Sequence, residues 1–204
     1  MRRYSRRVVP TPPITDPPNP LHGARGRLRQ WTDADLAPFA ALIADADVMR
    51  HLIARLSRDE SDAMARRNRV QIDTHGFGLW ALDVQGIGFA GFVGISTKLP
   101  FELPVAGIVA QPHEIGWRLA KAAWGHGYAT EAATLALRHG FEVLGLPQIV
   151  SFTAVTNTAS QAVMQRIGLV RRAEFDHPRL AEGHPLRRHV LYAQDAPSAG
   201  AQTS

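Results

Sequence analysis

Not one of the 204 residues is cysteine, which excludes disulfides, thiol nucleophiles and cysteine-ligated zinc. No apolar run is long enough to cross a bilayer, and no secretory apolar core stands near the N-terminus. The expected setting is therefore the cytoplasm, with no membrane partner. Lysine is almost missing as well, being confined to Lys98 and Lys121, so the formal charge of +5 rests on arginine. Four of those arginines (Arg2, Arg3, Arg6 and Arg7) fall in a proline-rich head, and the rest are scattered rather than gathered into a stripe. That distribution argues against a nucleic-acid partner. There is no internal repeat. An apolar content of 45% and a charged content of 20% are ordinary for a globular chain of one domain.

Prolines at 10, 12, 13, 17, 18 and 20 mark residues 1–24 as an extended or disordered leader. A folded domain is expected over 25–193, followed by a loose tail over 194–204. Arg25 to Trp31 alternates as a first strand. Thr32-Asp33-Ala34-Asp35 then starts a helix whose apolar face is Leu36, Phe39, Ala40 and Ile43. Asp47 to Ile53 reads as a second short helix. Ser57 to Ile72 reads as a third, opened by Ser57 and Glu60 in capping-box spacing. Leu79–Val84 and Ala90–Ser96 are apolar strands joined by a glycine hairpin. Residues 98–111, with two prolines, are expected to form a surface loop. Further on, 148–154, 169–175 and 187–192 read as strands.

The most informative segment is Glu114-Ile-Gly-Trp-Arg-Leu-Ala-Lys-Ala-Ala-Trp-Gly-His-Gly-Tyr-Ala-Thr-Glu131. A strand-like run to Leu119 passes through small residues into Gly125-His126-Gly127-Tyr128-Ala129-Thr130. An alanine-rich helix then begins at once, with Ala132, Leu135, Ala136, His139 and Val143 on one face, and Gly145 and Pro147 end it. Glycines placed where a strand hands over to a helix let backbone N–H groups approach a ligand, and the helix dipole adds positive potential. Such a turn suits a phosphate or diphosphate, or serves simply as a tight connection. No Gly-Lys-Ser/Thr follows, and the Gly-x-Gly-x-x-Gly spacing is missing, so neither a Walker loop nor a dinucleotide fingerprint is present. A second capped helix follows in Asn157-Thr-Ala-Ser160 through Ile167-Gly168-Leu169.

These two segments, in this order and with a strand between them, resemble the GNAT N-acetyltransferase superfamily, most closely its RimJ/RimL-like branch. The resemblance reaches upstream to Leu28–Leu36 and covers most of 25–193. It implies a mixed α/β (α+β type) domain whose mostly antiparallel sheet splays between the Glu114–Leu119 and Gln148–Ala154 strands. The implied cosubstrate is acetyl-CoA, with its pantetheine arm in the splay. The implied reaction transfers acetyl to a primary amine, foremost a protein N-terminal α-amine, by direct attack in a ternary complex. A small-molecule amine (an antibiotic or an amino acid) and a non-catalytic acyl-CoA sensor are the alternatives. The chain would act as a monomer or homodimer.

Residue by residue, the resemblance places the backbone of Trp117, Arg118 and Leu119 along the cofactor and the amides of Gly125 to Thr130 on the diphosphate. The family's phosphate motif usually begins with Gln or Arg, and this chain has Trp124 there, so the amides carry more of that contact. His126 is either an added donor or an exposed loop residue. Asn157 is first a helix cap that accepts from the Ser160 amide; in similar enzymes it also touches the cofactor. No tyrosine stands in the second helix, which leaves Ser160 as the candidate partner of the departing thiolate. Glu114 is the candidate proton acceptor, against the simpler reading of a strand-edge carboxylate paired with arginine. An ordinary glutamate at pKa ~4.3 is a weak base unless burial raises it.

The loop 176–189 holds His177, His184 and His189 among Asp176 and Glu182. Its spacings match no standard chelate, so no metal is expected. A solvated loop, or one that reaches the acceptor, is the expectation. Trp31, Trp80 and Trp117 read as core.

Overall fold

The computed structural model describes residues 20–197 apart from 54, 55, 98, 100 and 104. The expected leader, up to residue 19, and the tail from 198 onward lie outside the described residues. Eight strands form one sheet: β1 (Leu21–His22), β2 (Gly26–Arg29), β3 (Leu79–Val84), β4 (Gly88–Ser96), β5 (His113–Leu119), β6 (Gln148–Ala154), β7 (Val170–Asp176) and β8 (Arg188–Asp195), in the order β1-β2-β3-β4-β5-β6-β8-β7. Every neighbouring pair is antiparallel except β5 and β6. The helices are α1 (Leu36–Ala44), α2 (Ala46–Met49), α3 (Arg58–His75), α4 (Tyr128–Glu142) and α5 (Thr158–Arg166).

Strand alternation divides the helices between the two faces. Phe92 on β4 turns to the side where Trp31 meets Phe39 of α1, ring centroids 5.0 Å apart. Val93, Ile95, Ile115 and Ile149 turn the other way, beneath α4. At Gly140 a side chain would meet Ile149 Cδ1 at 2.6 Å and Ile95 Cδ1 at 2.7 Å, so the missing Cβ is what lets α4 lie this close to the sheet. The parallel pairing of β5 with β6 covers only His113↔Ile149 and Glu114↔Val150. Beyond those two residues the strands diverge, which is the splay the sequence resemblance implied.

Several boundaries differ from the sequence reading, each for a local reason. Leu21 and His22 pair with Leu28 and Arg27, so the domain begins inside the expected leader. Asp45 accepts from the amides of Asp47 and Val48, which starts α2 at Ala46, and it ends at Met49 rather than Ile53. Helix α4 closes at Glu142, so Val143 leaves the apolar face and is 68% exposed. Strand β8 runs on to Asp195 opposite Gln148, which draws the start of the expected tail into the sheet.

Residues 98–111 are also more than a surface loop. Leu99 is buried, and Phe101, Leu103, Val105 and Ile108 pack on a second small core of Val150, Phe175, Leu191 and Ala193. His177 and His189 join that core at 5% and 7% exposure, their rings 4.8 Å apart and flanked by Phe101, Phe152 and Phe175. The expected solvated loop therefore buries two of its three histidines. Among the described residues, no group of three or more His, Asp or Glu side chains could hold a metal ion.

Candidate active site

The split between β5 and β6 opens into a cavity of about 1110 Å³. Its walls come from β5, the turn before α4, the start of α5 and residues 47–52. Of the site residues proposed from sequence, all but His126 line it. His126 is exposed, its ring stacked on Tyr128 with centroids 5.6 Å apart and an interplanar angle of 15°.

At the turn, Gly125 and Gly127 adopt φ of 76° and 81°, backbone that L side chains rarely accept. The first helical amide with a protein acceptor is that of Glu131, bonded to Gly127 O at 3.0 Å. The Tyr128, Ala129 and Thr130 amides are the unsatisfied donors that every helix start presents. Here they line the cavity, with the helix dipole behind them. A carboxylate in the first turn, Glu131, would weaken that anion site. Arg25 answers it: its amide donates to Glu131 Oε1 at 2.8 Å and its Nε to Oε2 at 2.9 Å. The same guanidinium donates to His126 O at 2.9 Å and lies 4.8 Å from the Tyr128 ring centre, clasping the turn. Nothing in the sequence announced this clasp, because its partners are 106 positions apart. Trp124, in place of the usual Gln or Arg, donates its indole N–H to Leu119 O at 2.8 Å, closing the connection from strand to turn.

Glu114, Gly116 and Arg118 share one face of β5, opposite Ser96, Gly94 and Phe92 on β4. Glu114 retains some surface in the cleft, yet protein surrounds it, and desolvation raises its pKa from 4.5 to about 7. Arg118 is also desolvated, which lowers its pKa to about 10, and its guanidinium carbon lies 5.3 Å from the Phe92 ring centre. Trp117 points to the opposite face, half-buried against the core and open to the cleft, unlike the fully buried Trp31 and Trp80.

At the head of α5, Asn157 Oδ1 accepts from the Ser160 amide at 3.3 Å, as a cap should. Its Nδ2 donates to Thr153 Oγ1 at 2.9 Å and to Ser160 Oγ at 3.0 Å. Ser160 Oγ is thus held as an acceptor, and among the described residues its own proton has no protein acceptor.

The model of the acetyltransferase (GNAT) domain matches residues 25–170. The chain belongs to the GNAT acetyltransferase family. Enzymes of this family use acetyl-CoA as cosubstrate, and residues 25–170 carry their domain. A stretch of 104 residues, 49% of this chain and 42% of the relative, is 36% identical to the FsC-acetyl coenzyme A-N(2)-transacetylase of Aspergillus fumigatus. The chain thus spans less than half the length of that relative. YkkB of Bacillus subtilis is 30% identical over 147 residues, 71% of this chain and 81% of YkkB. Among solved structures, a RimL ribosomal L7/L12 alpha-N-protein acetyltransferase in complex with coenzyme A superposes with a TM-score of 0.71. It covers 87% of this chain and 98% of that one at 16% identity, which is a likeness of fold.

Proposed function

We propose that this acetyltransferase belongs to the RimJ/RimL-like branch and acetylates a protein N-terminal α-amine by direct attack in a ternary complex. The observation that carries the reading is Glu114, a carboxyl in the cleft whose pKa of about 7 matches such an amine. An α-amine at ~7.7–8.0 is roughly a tenth neutral at pH 7, whereas a lysine amine at ~10.4 is below a thousandth. A base near 7 is well placed to complete proton removal from the former.

The neutral amine nitrogen attacks the thioester carbonyl carbon, and the C–S bond then breaks. Glu114 accepts the proton that the nitrogen sheds, directly or through water. Ser160 donates its hydroxyl proton in a hydrogen bond to the departing sulfur, while Asn157 fixes the oxygen from behind. The Gly125–Thr130 amides hold the diphosphate, and the unpaired edge of β5 polarises the carbonyl. The products are the N-acetylated amine and free coenzyme A.

A small-molecule amine is the second reading; the fungal relative's name gives its acceptor only as an N(2) position. Release of free thiol from acetyl-CoA, measured against N-terminal peptides, lysine-blocked controls and small amines, decides between them. No thiol release with any amine would leave a non-catalytic acyl-CoA sensor.

A further inference from the structure

The cleft contains one charge for which the transfer chemistry has no use. Its other cations are accounted for. Arg25 is bound to Glu131, and Arg50 and Arg166 are open to solvent. Arg118 differs from them. It rises from near the C-terminal end of β5 into the cleft, half-buried, with Phe92 beneath it, and among the described residues no carboxylate lies within ion-pair distance. A guanidinium withdrawn from water without a counter-charge is costly, and desolvation already depresses its pKa. The ring of Phe92 offsets part of that cost and fixes the plane of the fork. A flat fork so held is suited to a bidentate carboxylate.

Its position also tells which ligand supplies the anion. Arg118 shares a face with Glu114, whereas Ile115, Trp117 and Leu119 turn toward α4, whose N-terminus forms the diphosphate site. We propose that Arg118 receives a carboxylate of the acceptor, so that the enzyme selects primary amines carrying an acidic group some distance from the reacting nitrogen. This rests on the acetyl-transfer reading and adds the acceptor's charge to it. At roughly 3.3 Å per residue, the Cα atoms of residues 114 and 118 stand about 13 Å apart. An acceptor that engages both side chains is therefore expected to carry its acid at some distance from its amine. An N-terminal peptide with an acidic side chain in its first few residues spans them, as does a long ω-amino acid.

The test uses matched acceptors: peptides with aspartate or asparagine at the third position, and an ω-amino acid beside its amide. Binding to the coenzyme A-loaded protein is read by calorimetry and acetyl transfer by thiol release. The parent should favour the acids, and Arg118→Gln should collapse that preference about thirtyfold or more, as expected when one member of a desolvated charge pair is removed. Arg118→Lys, which keeps the charge and loses the fork, should retain part of it. Preference for the aspartyl peptides over the ω-amino acid, or the reverse, identifies the source of the carboxylate. Equal binding of acids and amides by the parent overturns the proposal without recourse to any variant. So does an Arg118→Gln enzyme that keeps the preference, or one whose loss falls on acetyl-CoA affinity. Arg118-dependent acid binding without thiol release would sustain this inference and sink the transferase reading instead.

Discussion

Replacing Glu114 by glutamine keeps the size and the hydrogen-bonding atoms of the side chain and removes only its ability to take a proton. In the proposed mechanism, two groups must be on their basic sides for reaction: the α-amine and Glu114, the latter with a pKa of about 7. Below both values, log kcat/KM should climb with a slope near two per pH unit. In Glu114→Gln only the amine remains, so the slope should fall to one and the break near pH 7 should vanish. General-base groups contribute ~10²–10⁴-fold, or about 2.7–5.4 kcal/mol at 1.36 kcal/mol per decade. The penalty should shrink for amines of low pKa, which arrive already neutral. The same carboxyl bears on stability. Its folded pKa is raised from 4.5, so its contribution is full at low pH and is lost as pH rises through about 7. The ionised form therefore costs the fold up to ~3 kcal/mol, and Glu114→Gln should unfold at a higher temperature than the parent at alkaline pH, the gap closing in acid. A pH–rate profile in Glu114→Gln superimposable on the parent would remove Glu114 as the proton acceptor.

Three other outcomes follow from the same geometry. Ser160→Ala should cut turnover by ~10²–10⁴-fold with little change in acetyl-CoA affinity, because Asn157 keeps its bond to Thr153 and its role as cap; parental turnover would exclude the hydroxyl. Acetyl-CoA at about 100 times its dissociation constant should stabilise the parent by ~2.7 kcal/mol. Gly127→Val should lose that shift, since φ of 81° resists a β-branched residue and its Cβ would stand 3.4 Å from Arg25 Nη2, disturbing the clasp that shapes the proposed diphosphate turn; an undiminished shift would move the phosphate site elsewhere. Burial and the neighbouring His189 and Arg179 lower the pKa of His177 from 6.5 to about 4, so the fold should lose stability as pH falls through that window. His177→Phe should lose less over the same range, and identical melting curves for the two would refute the assignment.

What the sequence made legible was local. Gly125, Gly127, the Asn157 cap and the Ser57–Glu60 capping box are each written in a few adjacent letters, and each stands where those letters put it. Contacts between distant positions were invisible. The Arg25–Glu131 clasp and the packing of Phe101 against His177 join segments that share no pattern. For that reason residues 98–111 and the loop before β8 read as solvated when taken singly, though each covers the other's apolar side. Period-two alternation was available for Glu114 and Arg118, but it says only that they share a face. Whether that face is wet, and so whether a carboxylate is a base and an arginine a receptor, depends on Phe92, Met64 and the segment around Leu52 closing over it.

The split sheet ties these observations together. Because β5 leaves β6 after Glu114, the strand has backbone free along its edge and side chains across its face, which the proposed reading assigns to the cosubstrate and the acceptor respectively. In that reading the cosubstrate needs only generic donors, amides and a helix terminus, which short motifs encode. The acceptor, as proposed, would meet particular side chains from β4, β5 and residues 47–52, which no single segment encodes. A change of acceptor would then be expected to alter residues such as Arg118 while leaving Gly125 to Thr130 untouched. Exchanging Arg118 for a neutral residue in this chain should accordingly redirect the choice of amine before it weakens the hold on acetyl-CoA.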